Sequence, residues 1–348
     1  MTPLEQIEAA VLRGDWDAVH AAASGWAAAL GVQHDPLPHF AINAVSLIRG
    51  DFKQAWAAHA KSLQEEGDIN AVRAWVDAVL QRHGDHATVQ LLAGLCLSQS
   101  GQSDVSITRY KEAIRLEPAS PAAASAHYFL GQIYERLDRP EVAIKEYREA
   151  VKLKPDYAAA RTNLGVAYQQ QGQLEMAIPQ YREVLKLNPN DPVSHANLAC
   201  ALAEQGKIEP ALVAYREALR LSPNDAELHF AYGGVLETKG RMDLALKEYE
   251  TAIAVQEEFA PAYTAIGWYH FNRNARLEAY NWFNKALKHD QSNASAYFGL
   301  GRIEAGRGKP QLAADHFAKA VKYEKDPEKR TQIVNYIDKS GHGWGGLE

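Results

Sequence analysis

AIKEYREAVKLKP at 143–155 and AIPQYREVLKLNP at 177–189 repeat one pattern 34 residues apart. An alanine opens it, an aromatic residue follows four places later, a small residue comes three places after that, and a proline closes it. The same step continues through ALVAYREALRLSP at 211–223. The aromatic column is Tyr147, Tyr181, Tyr215, Tyr249, Phe283 and Phe317, preceded by Ala143, Ala177, Ala211, Ala245, Ala279 and Ala313. Spacings of four and three put these residues on one face of a helix with 3.6 residues per turn. Earlier in each unit a second helical stretch carries a small residue: Gly131, Gly165, Ala199, Gly233, Gly267 and Gly301. Between the two stretches stand Asp138, Gly172, Gly206, Gly240, Asn274 and Gly308, residue types that tolerate the left-handed backbone of a sharp reversal. Each unit therefore reads as a helix, a reversal and a second helix, with the closing proline ending it because it lacks an amide donor. A fixed period of this length marks a solenoid, since a single helix pair cannot bury its apolar face alone. At the crossing, the small residues are expected to let two backbones approach while the aromatic fills space toward the next unit.

A further unit lies at 87–120, with Gly94, Gly101, Tyr110, Ala113 and Pro118 in matching places and Ser106 for the alanine. Three extra residues in PASP (118–121) lengthen the next step to 37. Residues 87–325 thus form seven regular units, and 1–86 read as degenerate N-terminal helical repeats. There Gly50, Gly67, Gly84 and Gly101 fall every 17 residues, GDWDAVHAAA (14–23) and GDFKQAWAAH (50–59) look like second helices, and the stretch near Asn70–Arg82 has no obvious partner. Ile333, Val334 and Ile337 on one face of 326–339 fit a capping helix. Residues 340–348, with Trp344, are too glycine-rich for a helix and read as a flexible tail. The expected fold is an all-α solenoid of stacked antiparallel helix pairs, about 20 helices in all.

Composition narrows the function. Of 348 residues 47% are hydrophobic, enough for a continuous core, and a net charge of −6 argues against a duplex nucleic-acid surface. The two cysteines, Cys96 and Cys200, sit on apolar helical stretches and form no disulfide framework or CxxC site. The N-terminus lacks the order of a signal peptide, and no apolar run is long enough to insert in a membrane, so the expected compartment is the reducing cytoplasm.

The columns resemble those of the tetratricopeptide-repeat family, whose 34-residue signature runs W-x2-L-G-x2-Y, then A-x3-F, then P. LGQIY at 130–134 and LGVAY at 164–168 carry its first part. The resemblance is specific over 87–325 and loose over 1–86, and it implies an all-α, right-handed superhelical solenoid whose first helices line a concave groove that holds peptides or partner proteins. Departures are also present. The tryptophan place holds His127, Arg161, His195, His229, Tyr263 and Tyr297; the signature tyrosine becomes Leu202, Leu236, His270 and Glu304; and Glu257, Gln291 and Lys325 replace the last prolines. Less regular packing of the C-terminal units is the expectation that follows.

Helical phase, with the resemblance, assigns to the groove Tyr128, Phe129, Gln132, Asn163, Asn197, Phe230, Trp268, Phe271, Phe298 and Arg302. Asn163 and Asn197 are equivalent in successive units and resemble the asparagine ladder of O-linked N-acetylglucosamine transferases, in which an amide grips a peptide backbone whatever its sequence. Tyr128, Gln132 and Val193 stand where chaperone-binding members of the family carry clamp lysines and an asparagine, so a C-terminal carboxylate clamp is disfavoured. Histidines 127, 195 and 229 share a column, but stacked layers lie about 10 Å apart, while shared metal ligands sit about 2 Å from one ion. Packing is the reading, with no metal and no cofactor. No phosphate loop, nucleophile elbow or HExxH motif occurs. The expected function is a non-enzymatic scaffold that binds a peptide segment or partner helix. The alternatives are a self-assembling scaffold, forming homo-oligomers through its ends and edges, and a targeting subunit of a separate enzyme.

Overall fold

The structure, a computed structural model, describes residues 2–30, 41 and 66–339. The stretch GDFKQAWAAH, Gly50 and the tail bearing Trp344 lie outside the described residues. Among the described residues there are eighteen helices and no strand, arranged as antiparallel pairs. The chain forms two compact units, Met1–Pro189 and Asn190–Glu348.

The first unit contains α1 (Pro3–Leu12), α2 (Trp16–Leu30), α3 (Glu66–His83), α4 (Ala87–Gln99), α5 (Ser103–Leu116), α6 (Pro121–Arg136), α7 (Pro140–Leu153), α8 (Ala158–Gln170) and α9 (Leu174–Leu187). The pairs α4/α5, α6/α7 and α8/α9 are three of the predicted repeats. The helix without an obvious partner in sequence is α3. It packs along α4, buries Trp75, Val76 and Val79, and reaches α1 through Arg82 and His83, which lie 3.0 and 3.3 Å from the Glu8 carboxylate. Gly67 falls in the first turn of α3, so the 17-residue spacing of glycines does not mark a reversal there.

The second unit contains α10 (Pro192–Glu204), α11 (Ile208–Leu221), α12 (Ala226–Thr238), α13 (Met242–Val255), α14 (Ala260–Asn272), α15 (Arg276–His289), α16 (Ala294–Gly306), α17 (Pro310–Tyr323) and α18 (Pro327–Lys339). Four repeats, α10/α11 to α16/α17, are closed by α18, which packs Ile333 and Ile337 against Phe317 and Ala320. Several first helices start on a side-chain cap: Asp191, Asp225 and Asn293 accept from the amides of Ser194, Leu228 and Ala296 at 2.9–3.0 Å, satisfying donors that the helix leaves unpaired. All seven predicted reversals have positive φ, from 55° at Asp138 to 79° at Gly240. The last two, Asn274 and Gly308, match the others despite the degraded signature around them. Glu304, in the place of the signature tyrosine, is buried but bridged by Arg307 at 3.0 Å and Lys309 at 3.7 Å. The C-terminal repeats therefore reverse as regularly as the rest.

Packing at the crossing refines one expectation. What the small residue of the first helix meets most closely is the aromatic ring of its own repeat. A Cβ built on Gly131 would lie 2.4 Å from Tyr147, on Gly165 2.6 Å from Tyr181, on Gly233 2.6 Å from Tyr249, and on Gly301 2.5 Å from Phe317. The far side of a ring reaches the next repeat as well: Phe283 is held between Gly267 and Gly299, with built Cβ distances of 2.6 and 2.4 Å.

Adjacent glycines of α12 make this testable. A Cβ on Gly233 strikes the Tyr249 ring, whereas one on Gly234 meets nothing within 4 Å. Gly233→Ala is expected to cost about 1–3 kcal/mol through overpacking, and Gly234→Ala to stabilise by about 0.5–1 kcal/mol through helix propensity. Urea unfolding of the two variants measures both; a shift of the same sign in each would contradict the ring seat.

Candidate functional site

Every residue assigned to the groove falls on one of four first-helix positions, spaced i, i+1, i+4 and i+7, which a helix places along one face. Along that face the structure separates them by burial. Tyr128, Phe129 and Phe271 are buried at 0, 5 and 6% exposure, so they support the face rather than present a surface. Phe129 stacks on Tyr110 at 5.7 Å, Tyr128 lies 5.0 Å from the Tyr157 ring, and Phe271 sits beneath Trp268, 5.3 Å between centroids. Gln132, Asn163, Asn197, Phe230, Trp268, Phe298 and Arg302 are half-buried.

In the first unit the amides are partly engaged. Gln132 donates to the Tyr128 hydroxyl at 2.9 Å. Asn163 donates to the Tyr147 hydroxyl at 3.4 Å, and that hydroxyl donates to Glu135 Oε2 at 2.6 Å. The carbonyl oxygen of each amide has no partner in this set. Burial raises the Glu135 carboxyl above the usual carboxylate range, opposed by the Tyr147 hydrogen bond, and burial first, then Glu135, holds the Tyr147 phenol protonated far into the alkaline range.

In the second unit the face opens into a cavity of about 490 Å³ between α12, α14 and the start of α16. Phe230, Pro261, Ala265 and Trp268 form apolar walls; Glu237, Asn272, Asn293 and Ser295 supply polar edges. Trp268 is fixed from several sides, its indole nitrogen donating to Ser295 Oγ at 2.8 Å and its ring 5.2 Å from Phe283 and 6.0 Å from Phe298. Phe230 rests 5.5 Å from both Tyr249 and Phe259. The Tyr249 hydroxyl donates to Glu237 Oε2 at 2.8 Å, and burial, then that carboxylate, raises the phenol well above its ordinary value. Glu237, Tyr249 and Asn272 also line a neighbouring cavity of about 600 Å³ with Arg241, Asp243, Tyr269 and Arg273. Beyond Trp268 the Arg302 guanidinium lies over Phe271 at 4.6 Å, Tyr336 at 5.0 Å, Trp268 at 5.7 Å and Phe298 at 5.8 Å. Cavities with apolar walls and a few fixed polar groups are the usual form of a binding site.

The histidine column has a different use. His127 Nδ1 lies 2.6 Å from Glu146 and His229 Nδ1 2.7 Å from Glu248, each pair 19 residues apart and joining the two helices of one repeat. Arg161 meets Gln180 at 3.1 Å in the same relation, and Tyr263 meets Trp282 ring to ring at 5.8 Å. Among the described residues no group of three metal-ligating side chains converges, and no helix is long and apolar enough to cross a membrane.

Tetratricopeptide-repeat models match residues 158–191, 180–212, 226–259 and 264–329, and a TPR repeat model matches 141–172 and 200–240. The chain is a tetratricopeptide-repeat protein. No protein with a curated description matches it. Among solved structures it is similar to a tetratricopeptide-repeat protein from Parabacteroides merdae, at 17% identity and a TM-score of 0.61 over 72% of this chain and 97% of the other. It is similar also to yeast Tom70, at 14% identity and a TM-score of 0.54 over 97% and 88%. The C-terminal part of a TPR repeat-containing protein from Cytophaga hutchinsonii aligns at 17% identity and a TM-score of 0.55 over 67% and 95%. These likenesses establish the shared fold. Tetratricopeptide repeats serve as protein-interaction scaffolds, and that is the functional class of this chain.

Several lining residues were not assigned from sequence. Asn293 and Ser295 stand at the start of α16, where Asn293 reads as a cap. Tyr336 belongs to α18, which lies outside the 34-residue period and so outside any column. Cys200, by contrast, occupies the same column as Trp268 and Arg302 and reports on the face directly. Its thiol is half-exposed and donates to Glu204 at 3.2 Å, while Cys96 is buried and its pKa is pushed up to about 11 by burial. Because the thiolate is the reactive form, a thiol reagent at pH 8 is expected to label Cys200 alone in the native protein and both cysteines in denaturant. Rapid native labelling of Cys96 would contradict the burial of α4.

Proposed function

We propose that this protein is a non-enzymatic scaffold that holds an extended peptide segment of a partner along its first-helix faces. The observation that carries the reading is the cavity bounded by Phe230 and Trp268, a half-buried aromatic pair with polar groups fixed around it. Trp268, Phe230 and Phe298 act as the anchors, because large flat side chains in a desolvated pocket lose little entropy on binding and dominate interface energy. On the same unit Asn197 contributes a side-chain amide that pairs with peptide backbone at about 0.5–1.5 kcal/mol; Asn163 and Gln132 present amides of the same kind on the first unit taken by itself. Tyr128, Phe129 and Phe271 serve beneath them, fixing the positions of the groups above.

Peptides selected from a displayed random library on the full chain test this. Trp268→Ala is expected to weaken them by about 2 kcal/mol or more, and Phe230→Ala by a similar amount. Lys145→Ala, an exposed position on the second helix α7, is expected to leave affinity unchanged. Peptides that bind all three variants as tightly as the wild type would place the binding surface elsewhere and favour assembly through edges and ends.

A further inference from the structure

Two arginines near the Trp268 ring, Arg302 and Arg276, rest on aromatic rings without a carboxylate partner. Arg82, Arg115, Arg220, Arg241, Arg273 and Arg307 each meet a carboxylate within 2.6–3.3 Å. No carboxylate among the described residues pairs with Arg302 or Arg276. Both lie on one ring, Phe271, with the Arg276 guanidinium carbon 3.8 Å and the Arg302 carbon 4.6 Å from its centroid. Arg302 is the more confined, touching four rings, and its Nε is buried without a hydrogen-bond partner. Arg276 has one polar contact nearby, its Nε to Asn274 Oδ1 at 3.1 Å.

The repeat explains why this position is unlike the others. At the place held by Phe271 two earlier repeats carry a carboxylate and one an amide, Glu135, Glu237 and Gln169, which accept from the tyrosines 12 residues on; the other two earlier repeats hold Ser98 and Ala203 there. In this repeat the second-helix ring is Phe283, which needs no acceptor, and the place holds Phe271. No acidic group therefore stands at this place beside the two arginines. Two cations thus rest on one ring, with guanidinium N–H groups that aromatic faces hold but do not satisfy as oxygen does.

We infer that Arg302 and Arg276 receive a side-chain carboxylate, an Asp or Glu, of the bound peptide, close in its sequence to the apolar residue that enters the Trp268 cavity. The inference rests on the groove reading proposed above and gives it a chemical specificity. A carboxylate is the complementary occupant: its oxygens match the guanidinium fork, and its charge is opposite to that of the two arginines. The neighbouring contact of Arg302 with Trp268, at 5.7 Å, ties the acidic position to the apolar one. Sequences accepted by the site therefore combine an acidic residue with an aromatic or large aliphatic residue a short distance away.

The test uses the full chain and a displayed random peptide library, followed by calorimetry on a synthetic selected peptide. The expected result is enrichment of Asp or Glu at a fixed spacing from an apolar anchor, with exchange of that residue for its amide, Glu→Gln or Asp→Asn in the peptide, weakening binding roughly 30-fold. Affinity for the acidic peptide should fall as NaCl is raised from 50 to 500 mM, and the amide peptide should lose most of that dependence. Arg302→Gln should abolish the difference between the two peptides, and circular dichroism reports whether that variant keeps its fold. Since the peptide exchange leaves the protein untouched, the result does not depend on the variant folding. Peptides that need Trp268 yet show no acidic preference would overturn the arginine site and leave the groove reading standing. Selected peptides indifferent to Trp268 would overturn both.

Discussion

A ring seated on a glycine is the contact from which the rest of this structure follows. Each repeat places Tyr or Phe of its second helix beside a small residue of its first, so closely that a Cβ at Gly131, Gly165, Gly233, Gly267 or Gly301 would lie 2.4–2.6 Å from the ring, well inside van der Waals contact. The contact sets the distance between the two helices, and with it the phase of every other side chain on the first helix. The outer side of the ring then meets the following repeat, as Phe283 meets Gly299. One side chain thus fixes both the pair and the stack, which is how a short repeat without a core of its own becomes stable in series.

Around this contact the polar groups change in matched sets. In three of the tyrosine repeats the ring hydroxyl has an acceptor 12 residues before it, Glu135, Gln169 or Glu237, while Ser98 and Ala203 hold that place before Tyr110 and Tyr215. Where the ring is phenylalanine, the same place holds Phe271 or Ala305. The bridge between helices varies in the same manner, histidine opposite glutamate in two repeats and arginine opposite glutamine in another, with aromatic rings opposite one another near the C-terminal end. Phe271, at a place where Glu135 and Glu237 serve a tyrosine hydroxyl in other repeats, forms a hydrophobic bed for two arginines.

Much of the fold is legible in the sequence because the repeat supplies seven aligned readings of one unit. Reversals at Asp138 and Asn274 are visible only because glycine fills the same column elsewhere. What has no column is not legible: α3 lies outside the regular period, and Tyr336 approaches the site from the terminal helix. Helical phase assigns Tyr128, Phe129 and Phe271 to the face but says nothing of depth. Their burial depends on neighbours in other repeats or higher on the same helix, such as Tyr110 over Phe129 and Trp268 over Phe271. The shared column of Trp268 and Arg302 was readable; their meeting over one ring required coordinates.

The most direct test of the central contact is a double-mutant cycle joining Gly301→Ala and Phe317→Leu, followed by chemical unfolding. If the ring seat governs the pair, Gly301→Ala destabilises the protein with phenylalanine at 317 and loses that penalty with leucine there, giving a coupling of about 0.5–3 kcal/mol. An equal effect of Gly301→Ala in both backgrounds would mean that the glycine is required for some reason other than the ring, and the account of how these helices are spaced would fail.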